Sequence, residues 1–447
     1  QLTSAAISGI ELPAEVEPLA GVWVREREMR EDCLVLNVWA PADGVEGKPV
    51  LVWLHGGAFM VGSASWPLYD FSNLARDYDV VVVGVNHRLG ILGFLDLSAY
   101  GQEYADSGNA GMLDIVLALQ WVRDNIAGFG GNPNCVTVFG ESGGGAKVNA
   151  LLGMPSAAGL FQRAVLMSGT MLRAKPSDTG RALTETALGY LGIDSSDVIE
   201  QLLKLDAMTL VESQMQLPPG SGAIPTIRKS FSPTIGATIP GDPVEVIRAG
   251  AARTVEVMLG TTTHELLGFL GTPEVWNGDD EFFLARMRIF LGDDTDSVIA
   301  AYRTVRPDDT LLSLYLLIAS DHAMRIPHIR LAEALIAGGG AAPYMYLFEL
   351  GGRGPDGVVR SGHGGDMAYF FDNISKAPVF AGPHAQGVVD AMAGALTSFA
   401  RTGDAGWSAY DTETRPTKVF NVESRTEDDP MAAERRIWQD VTGLGLM

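Results

Sequence analysis

The chain has 447 residues, 47% of them hydrophobic, enough to bury a large core, so a disordered protein is excluded. Its formal charge of -22 opposes binding to nucleic acid or to anionic lipid surfaces. Only two cysteines occur, Cys33 and Cys135, which excludes a disulfide framework and reads as two free buried thiols; no apolar run approaches the roughly 20 residues that span a bilayer.

A soluble protein with a small-molecule partner is therefore expected. The sequence begins at Gln1 with no methionine or recognisable signal peptide. The expectation is that something upstream was removed and that the location is cytoplasmic rather than secreted.

Taken in order, strand-like runs fall at Leu34 to Trp39, Val50 to Leu54, Val80 to Val85, Val136 to Phe139, Ala164 to Met167, Val255 to Leu259 and Tyr344 to Phe348. Several are apolar at every position, which suits a sheet covered by helices on both faces. The intervening Gly111 to Ile126 and Gly144 to Leu152 carry helical spacing. The expected fold is α/β, a doubly wound and mostly parallel sheet in one domain over residues 1–447. Between about 177 and 252, a stretch that includes the Pro/Gly-rich Leu217 to Pro225, the strand signal fades. A second helical stretch covers about 279–337. Both read as insertions joining strand carboxyl ends, where they would wall a pocket.

Chemistry concentrates at those strand ends. After Val50 to Leu54 the chain breaks into His55-Gly56-Gly57-Ala58-Phe59, small residues whose backbone N–H groups can face a substrate; a plain glycine turn is the bland alternative. Val136 to Phe139 runs into Gly140-Glu141-Ser142-Gly143-Gly144, a Gly-x-Ser-x-Gly pattern between a strand and a helix, where a sharp turn would expose the Ser142 hydroxyl as a nucleophile. Glu265 follows the strand Val255 to Leu259 and the turn Gly260 to Thr263; a carboxylate there can orient a base, or simply favour a helix first turn. His363, in the glycine-rich loop Ser361 to Asp366, is the expected base. The order serine, acid, histidine is that of α/β-hydrolases. Of the other histidines, His322 and His328 read as surface or capping groups on a helix, and His55, His87 and His384 as structural.

Two rival motifs fail on their residues. Gly140 to Lys147 resembles a phosphate loop, but Ala146 stands where the lysine belongs and Val148 follows Lys147 in place of Ser or Thr. His264-Glu265 begins a zinc-protease pattern, yet Gly268 takes the place of the second histidine. Neither a metal nor a cofactor is expected.

With these residues in view, the chain resembles the type-B carboxylesterase family, the α/β-hydrolases that include bacterial para-nitrobenzyl esterases and cholinesterases. The resemblance is carried by Glu31 to Trp39, His55 to Phe59, Asn86-His87-Arg88-Leu89-Gly90, Gly130 to Asn134, Gly140 to Gly144 and Trp407 to Arg425. It implies Ser142 as nucleophile, Glu265 as acid, His363 as base, and the N–H groups of Gly57, Ala58 and Gly143 as oxyanion donors. It further implies that Glu141 and Ser168 support the site from behind. Trp23 matches the aromatic with which cholinesterases hold a quaternary ammonium group, and an aromatic packed on the pocket rim is the expected role here. Family members carry about 60 to 70 more amino-terminal residues at usual domain sizes. Cys33 matches a cysteine that is disulfide-bonded in secreted animal members, with no partner upstream here.

The expected function is hydrolysis of carboxylic esters with small to medium apolar acyl or alcohol groups, through an acyl-enzyme. Activity should rise with pH through an apparent pKa of about 6 to 7 as His363 becomes neutral. A carbamate or amide hydrolase using the same three residues, and a non-catalytic cholinesterase-like interaction protein on the same fold, stay open as alternatives.

Overall fold

Strands apolar at every position must be covered twice. In the computed structural model, which describes residues 30–194, 197–217, 231–270, 273–353, 356–377, 385–441 and 444, this is how the sheet is built. Its strands are β1 (Leu36–Trp39), β2 (Lys48–Leu54), β3 (Val81–Val85), β4 (Gly131–Glu141), β5 (Arg163–Met167), β6 (Glu256–Thr262), β7 (Tyr344–Phe348), β10 (Pro416–Phe420) and β11 (Arg425–Asp428). A separate hairpin pairs β8 (Gly352–Arg353) with β9 (Val359–Arg360). The large sheet has the order β1-β3-β2-β4-β5-β6-β7-β10-β11; its interior pairs are parallel, and β1 and β11 are antiparallel edges.

Alternation sends strands β1 to β7 into two cores. Val50, Val52, Leu54, Val136 and Val138 pack on one face with α1 (Ala110–Asn125) and α2 (Gly143–Gly153), while Leu51, Trp53, Phe139 and Val165 pack on the other with α9 (Ala385–Thr402). Trp53 anchors the second core, its ring 4.9 Å from Tyr69, 4.9 Å from Phe139 and 5.0 Å from Phe371.

Winding reverses between β2 and β4. From β2 the chain steps outward to β3 and then crosses back to the other side of β2 as β4. In an open α/β sheet the crevice at such a reversal lies beyond the strand carboxyl ends. Here those ends are Leu54, which leads into His55 to Phe59, and Glu141, which leads into Ser142.

The stretch between β5 and β6 holds helices that include α3 (Ser177–Tyr190) and α4 (Pro243–Arg248), and the stretch between β6 and β7 holds α5 (Asp280–Leu291), α6 (Thr295–Val305), α7 (Leu311–Ser320) and α8 (Ile326–Ala337). The second group has its own core, into which Trp438 inserts. Asp321–Arg325, between α7 and α8, is a π-helical turn. Inside it Asp321 accepts hydrogen bonds from Arg325 Nε at 2.6 Å and Nη2 at 2.7 Å, and from the Tyr302 hydroxyl.

Several sequence expectations are revised. The strand expected to end at Leu259 continues through Gly260 and Thr261 to Thr262, because Gly260 lies flat against Tyr346 and extends the pairing with β7. Strands β10 and β11 carry no strong apolar alternation and were not anticipated. His322 and His328, expected on a surface, are buried: His322, in the π turn, packs among the rings of Phe290 and Trp438, and His328, in α8, is held by Met324 O and Gly169 N–H. Cys33 and Cys135 are free but only half-buried. Residues 218–225 of the Pro/Gly-rich stretch, Trp23 and His384 lie outside the described residues. No helix among the described residues is long and apolar enough to cross a membrane.

Candidate active site

Ser142 sits at the turn between β4 and α2 with φ 56° and ψ -121°. A non-glycine residue there is strained by about 1 to 3 kcal/mol, and such strain persists only where surrounding structure over-determines it. The surroundings do so: Ser142 N–H donates to Met167 O at 2.8 Å and Ser142 O accepts from Ala146 N–H at 3.0 Å. Gly169 packs against the turn so closely that a Cβ on it would lie 1.8 Å from Ser142 O. Glu141 and Gly143 are buried, whereas Ser142 between them is partly exposed.

The loop after β2 folds over this turn. Gly57 and Ala58 adopt φ 91° and 53°, two successive left-handed residues, which turns their peptide groups away from the strand. A Cβ on Gly143 would lie 2.3 to 2.4 Å from the N, Cα and O of Ala58, so the three residues expected to donate to an oxyanion share one small region.

Glu265 and His363 arrive from different strands and are zipped together by backbone. Thr263 N–H donates to Phe348 O (3.2 Å), His264 N–H to Ser361 O (2.9 Å) and His363 N–H to Glu265 O (3.3 Å). The Glu265 carboxylate is fully buried; Oε1 accepts from Thr262 N–H at 2.7 Å, and Oε2 is 2.6 Å from His363 Nδ1. That contact fixes the tautomer: Nδ1 carries a proton for Glu265, leaving Nε2 to accept.

Nε2 points to the elbow, 3.1 Å from Oε1 of Glu141. The angles fall short of a hydrogen bond, and both atoms remain without a hydrogen-bond partner. The Ser142 hydroxyl is thus not bonded to His363, whose Nε2 faces the residue that precedes Ser142 in the chain. Such looseness is common before substrate binds.

Charge around the imidazole is unusual. Burial raises Glu141 to about 8 and, with the nearby charge of Glu265, Asp366 to about 7. Asp366 Oδ2 accepts from the Tyr346 hydroxyl at 2.8 Å. Burial would lower His363, but Glu141 and Glu265 override it and raise the imidazole to about 9. These shifts compete for one proton, since an uncharged Glu141 cannot hold up His363. His363 is held above its ordinary value in either case, because the buried Glu265 at 2.6 Å favours the imidazolium by itself. The apparent pKa of 6 to 7 expected from sequence is set against an imidazole that Glu141 and Glu265 hold above its ordinary value.

Ser168 is fully buried at φ 47°, its N–H bonded to Gly260 O at 2.9 Å and its hydroxyl unpartnered, so no hydrogen bond joins it to Glu141. His55 and His87 stack 4.9 Å apart with rings 5° from parallel, and burial holds both neutral. Sequence reasoning missed four contributors. Phe269 lays its ring 5.0 Å from that of His363, His328 Nε2 accepts from Gly169 N–H at 3.3 Å, and Asp366 and Tyr346 complete the buried network. A carboxylate three residues after the histidine was the one legible signal. Among the described residues, no group of three His, Cys, Asp or Glu side chains is arranged to hold a metal ion.

Comparison with known proteins bears on the family and the fold. The model of the carboxylesterase family matches residues 10–438. The para-nitrobenzyl esterase of Bacillus subtilis (strain 168) is 34% identical over 419 residues, covering 91% of this chain and 82% of its own. The crystal structure of a Geobacillus stearothermophilus carboxylesterase superposes with a TM-score of 0.81 at 36% identity, covering 92% of this chain and 86% of that one. Cholinesterase 1 of Branchiostoma lanceolatum is 39% identical over 244 residues, 53% of this chain and 67% of its own. With a parallel sheet whose reversal point carries the Gly-x-Ser-x-Gly turn, the chain belongs to the carboxylesterase family, a carboxylic ester hydrolase on the α/β-hydrolase fold.

Proposed function

We propose that the protein is a serine esterase acting on carboxylic esters of small to medium apolar acyl or alcohol groups, with Ser142, His363 and Glu265 as its catalytic residues. The 2.6 Å contact between buried Glu265 and His363 Nδ1 carries this reading, because it leaves Nε2 free to accept a proton beside Ser142. His363 takes the hydroxyl proton as Ser142 attacks the carbonyl. Glu265 holds the ring and stabilises the imidazolium, which then protonates the departing alcohol. Gly57, Ala58 and Gly143 N–H groups hold the oxyanion, and water repeats the cycle on the acyl-enzyme. The helical insertions flanking β6 wall the acyl and alcohol sites, and Phe269 presents an apolar face to them. A cytoplasmic location belongs to the same reading, supported by the two free thiols.

Intact-mass analysis after treatment with a fluorophosphonate tests the assignment. One adduct on the wild-type chain, absent from Ser142→Ala, is expected, together with a loss of p-nitrophenyl butyrate turnover of about 10⁶-fold in that variant. An unlabelled wild-type chain would identify a silent interaction protein instead.

A further inference from the structure

Lys147 sits in the first turns of α2, the helix led by Gly143, and is fully buried. Burying an amine away from carboxylates is costly unless its donors are used. Here Nζ donates to Ala58 O at 2.8 Å and to His55 O at 3.1 Å, and it lies 5.6 Å from the centre of the Phe59 ring. All three contacts fall on the loop after β2.

Peptide connectivity gives this arrangement its meaning. His55 O belongs to the peptide joining residues 55 and 56, and Ala58 O to the peptide joining 58 and 59. The two peptides between them carry the N–H groups of Gly57 and Ala58. One amine therefore pins the planes on either side of both donors, across two glycines that impose little conformational preference themselves. Because Lys147 is anchored in α2, the same side chain ties those donors to Gly143.

We propose that Lys147 is a positioning residue, which locks the Gly57 and Ala58 amides onto the helix carrying Gly143 and so assembles the oxyanion hole. This rests on the reading of Ser142 as nucleophile. Burial draws the amine down to about 7, with Glu141 pulling the other way, and at either protonation state two N–H donors remain for the two carbonyls.

Lys147→Met and Lys147→Gln in the full chain provide the test, with active sites counted by exhaustive fluorophosphonate labelling. For Lys147→Met, kcat per labelled site should fall about 10²- to 10³-fold, the usual cost of a lost oxyanion donor, with KM within about threefold. A trifluoromethyl ketone, which forms a tetrahedral adduct, should lose affinity by the same factor as kcat/KM. Lys147→Gln, keeping an amide NH₂ on a shorter side chain, should recover part of the loss. A merely structural lysine would lower the melting temperature and the number of labelled sites while kcat per site stayed at the wild-type value, and that result overturns the proposal. Failure of the wild-type chain to label refutes the Ser142 reading instead. If neither variant folds, ¹⁵N-lysine NMR of the wild-type chain decides: the Lys147 Nζ signal should move when the ketone adduct forms, and an unmoved signal overturns the proposal.

Discussion

Replacing Glu141 with Gln should shift the pH at which activity appears. Glu141 Oε1 lies 3.1 Å from His363 Nε2. At that separation two unit charges interact by about 5 kcal/mol with an effective dielectric of about 20, a ceiling of roughly 4 pKa units. Glu141 is itself raised to about 8 and so carries only part of its charge near neutrality, which brings the expected pull down to about 1 to 2 units. Removing it destabilises the imidazolium, so the pKa of His363 falls. In the wild type, kcat/KM for p-nitrophenyl butyrate should rise with a midpoint above the usual histidine value of about 6.5. In Glu141→Gln the midpoint should move down by about 1 to 2 units, since Glu265 still supports the ring. Stability follows the same sign: a raised folded-state pKa contributes fully below about 6.5 and is lost as pH climbs through about 9. A midpoint that stays put or rises in Glu141→Gln would show that the carboxylate does not act on His363.

Three further outcomes follow from the same geometry. Glu265→Gln should reduce kcat by about 10⁴-fold, because an amide can present an N–H to Nδ1 and favour the wrong tautomer; steady-state kinetics on the variant check this. Gly169→Ala places a Cβ 1.8 Å from Ser142 O, on backbone that cannot yield without moving the turn, so urea unfolding should reveal a loss of about 1 to 3 kcal/mol or more together with reduced turnover. Arg325→Met leaves Asp321 buried without its partner at 2.6 Å and should cost about 3 to 5 kcal/mol, whereas Asp321→Leu combined with Arg325→Met should be near neutral in the same assay.

The sequence by itself determined the parallel sheet and the turn at Ser142 and pointed to Glu265 and His363, which the fold brings within 2.6 Å of each other, because strand periodicity, glycine at a strained turn and the order of the three residues along the chain are local or linear properties. Strand ends were less legible: Gly260-Thr261-Thr262 has turn composition, yet pairing with β7 keeps it extended. The tertiary structure alone decided what surrounds the imidazole. Glu141, Glu265 and Asp366 come from three separate segments, and their joint burial, not their identity, moves the titration of His363. Lys147 likewise carries no signal in a helix of small and apolar residues until folding brings the carbonyls of His55 and Ala58 to its amine. Desolvation and long-range contact exist only in the folded chain, which is why Ser142, Glu265 and His363 could be proposed from sequence while Asp366, Lys147 and the electrostatics around the imidazole could not.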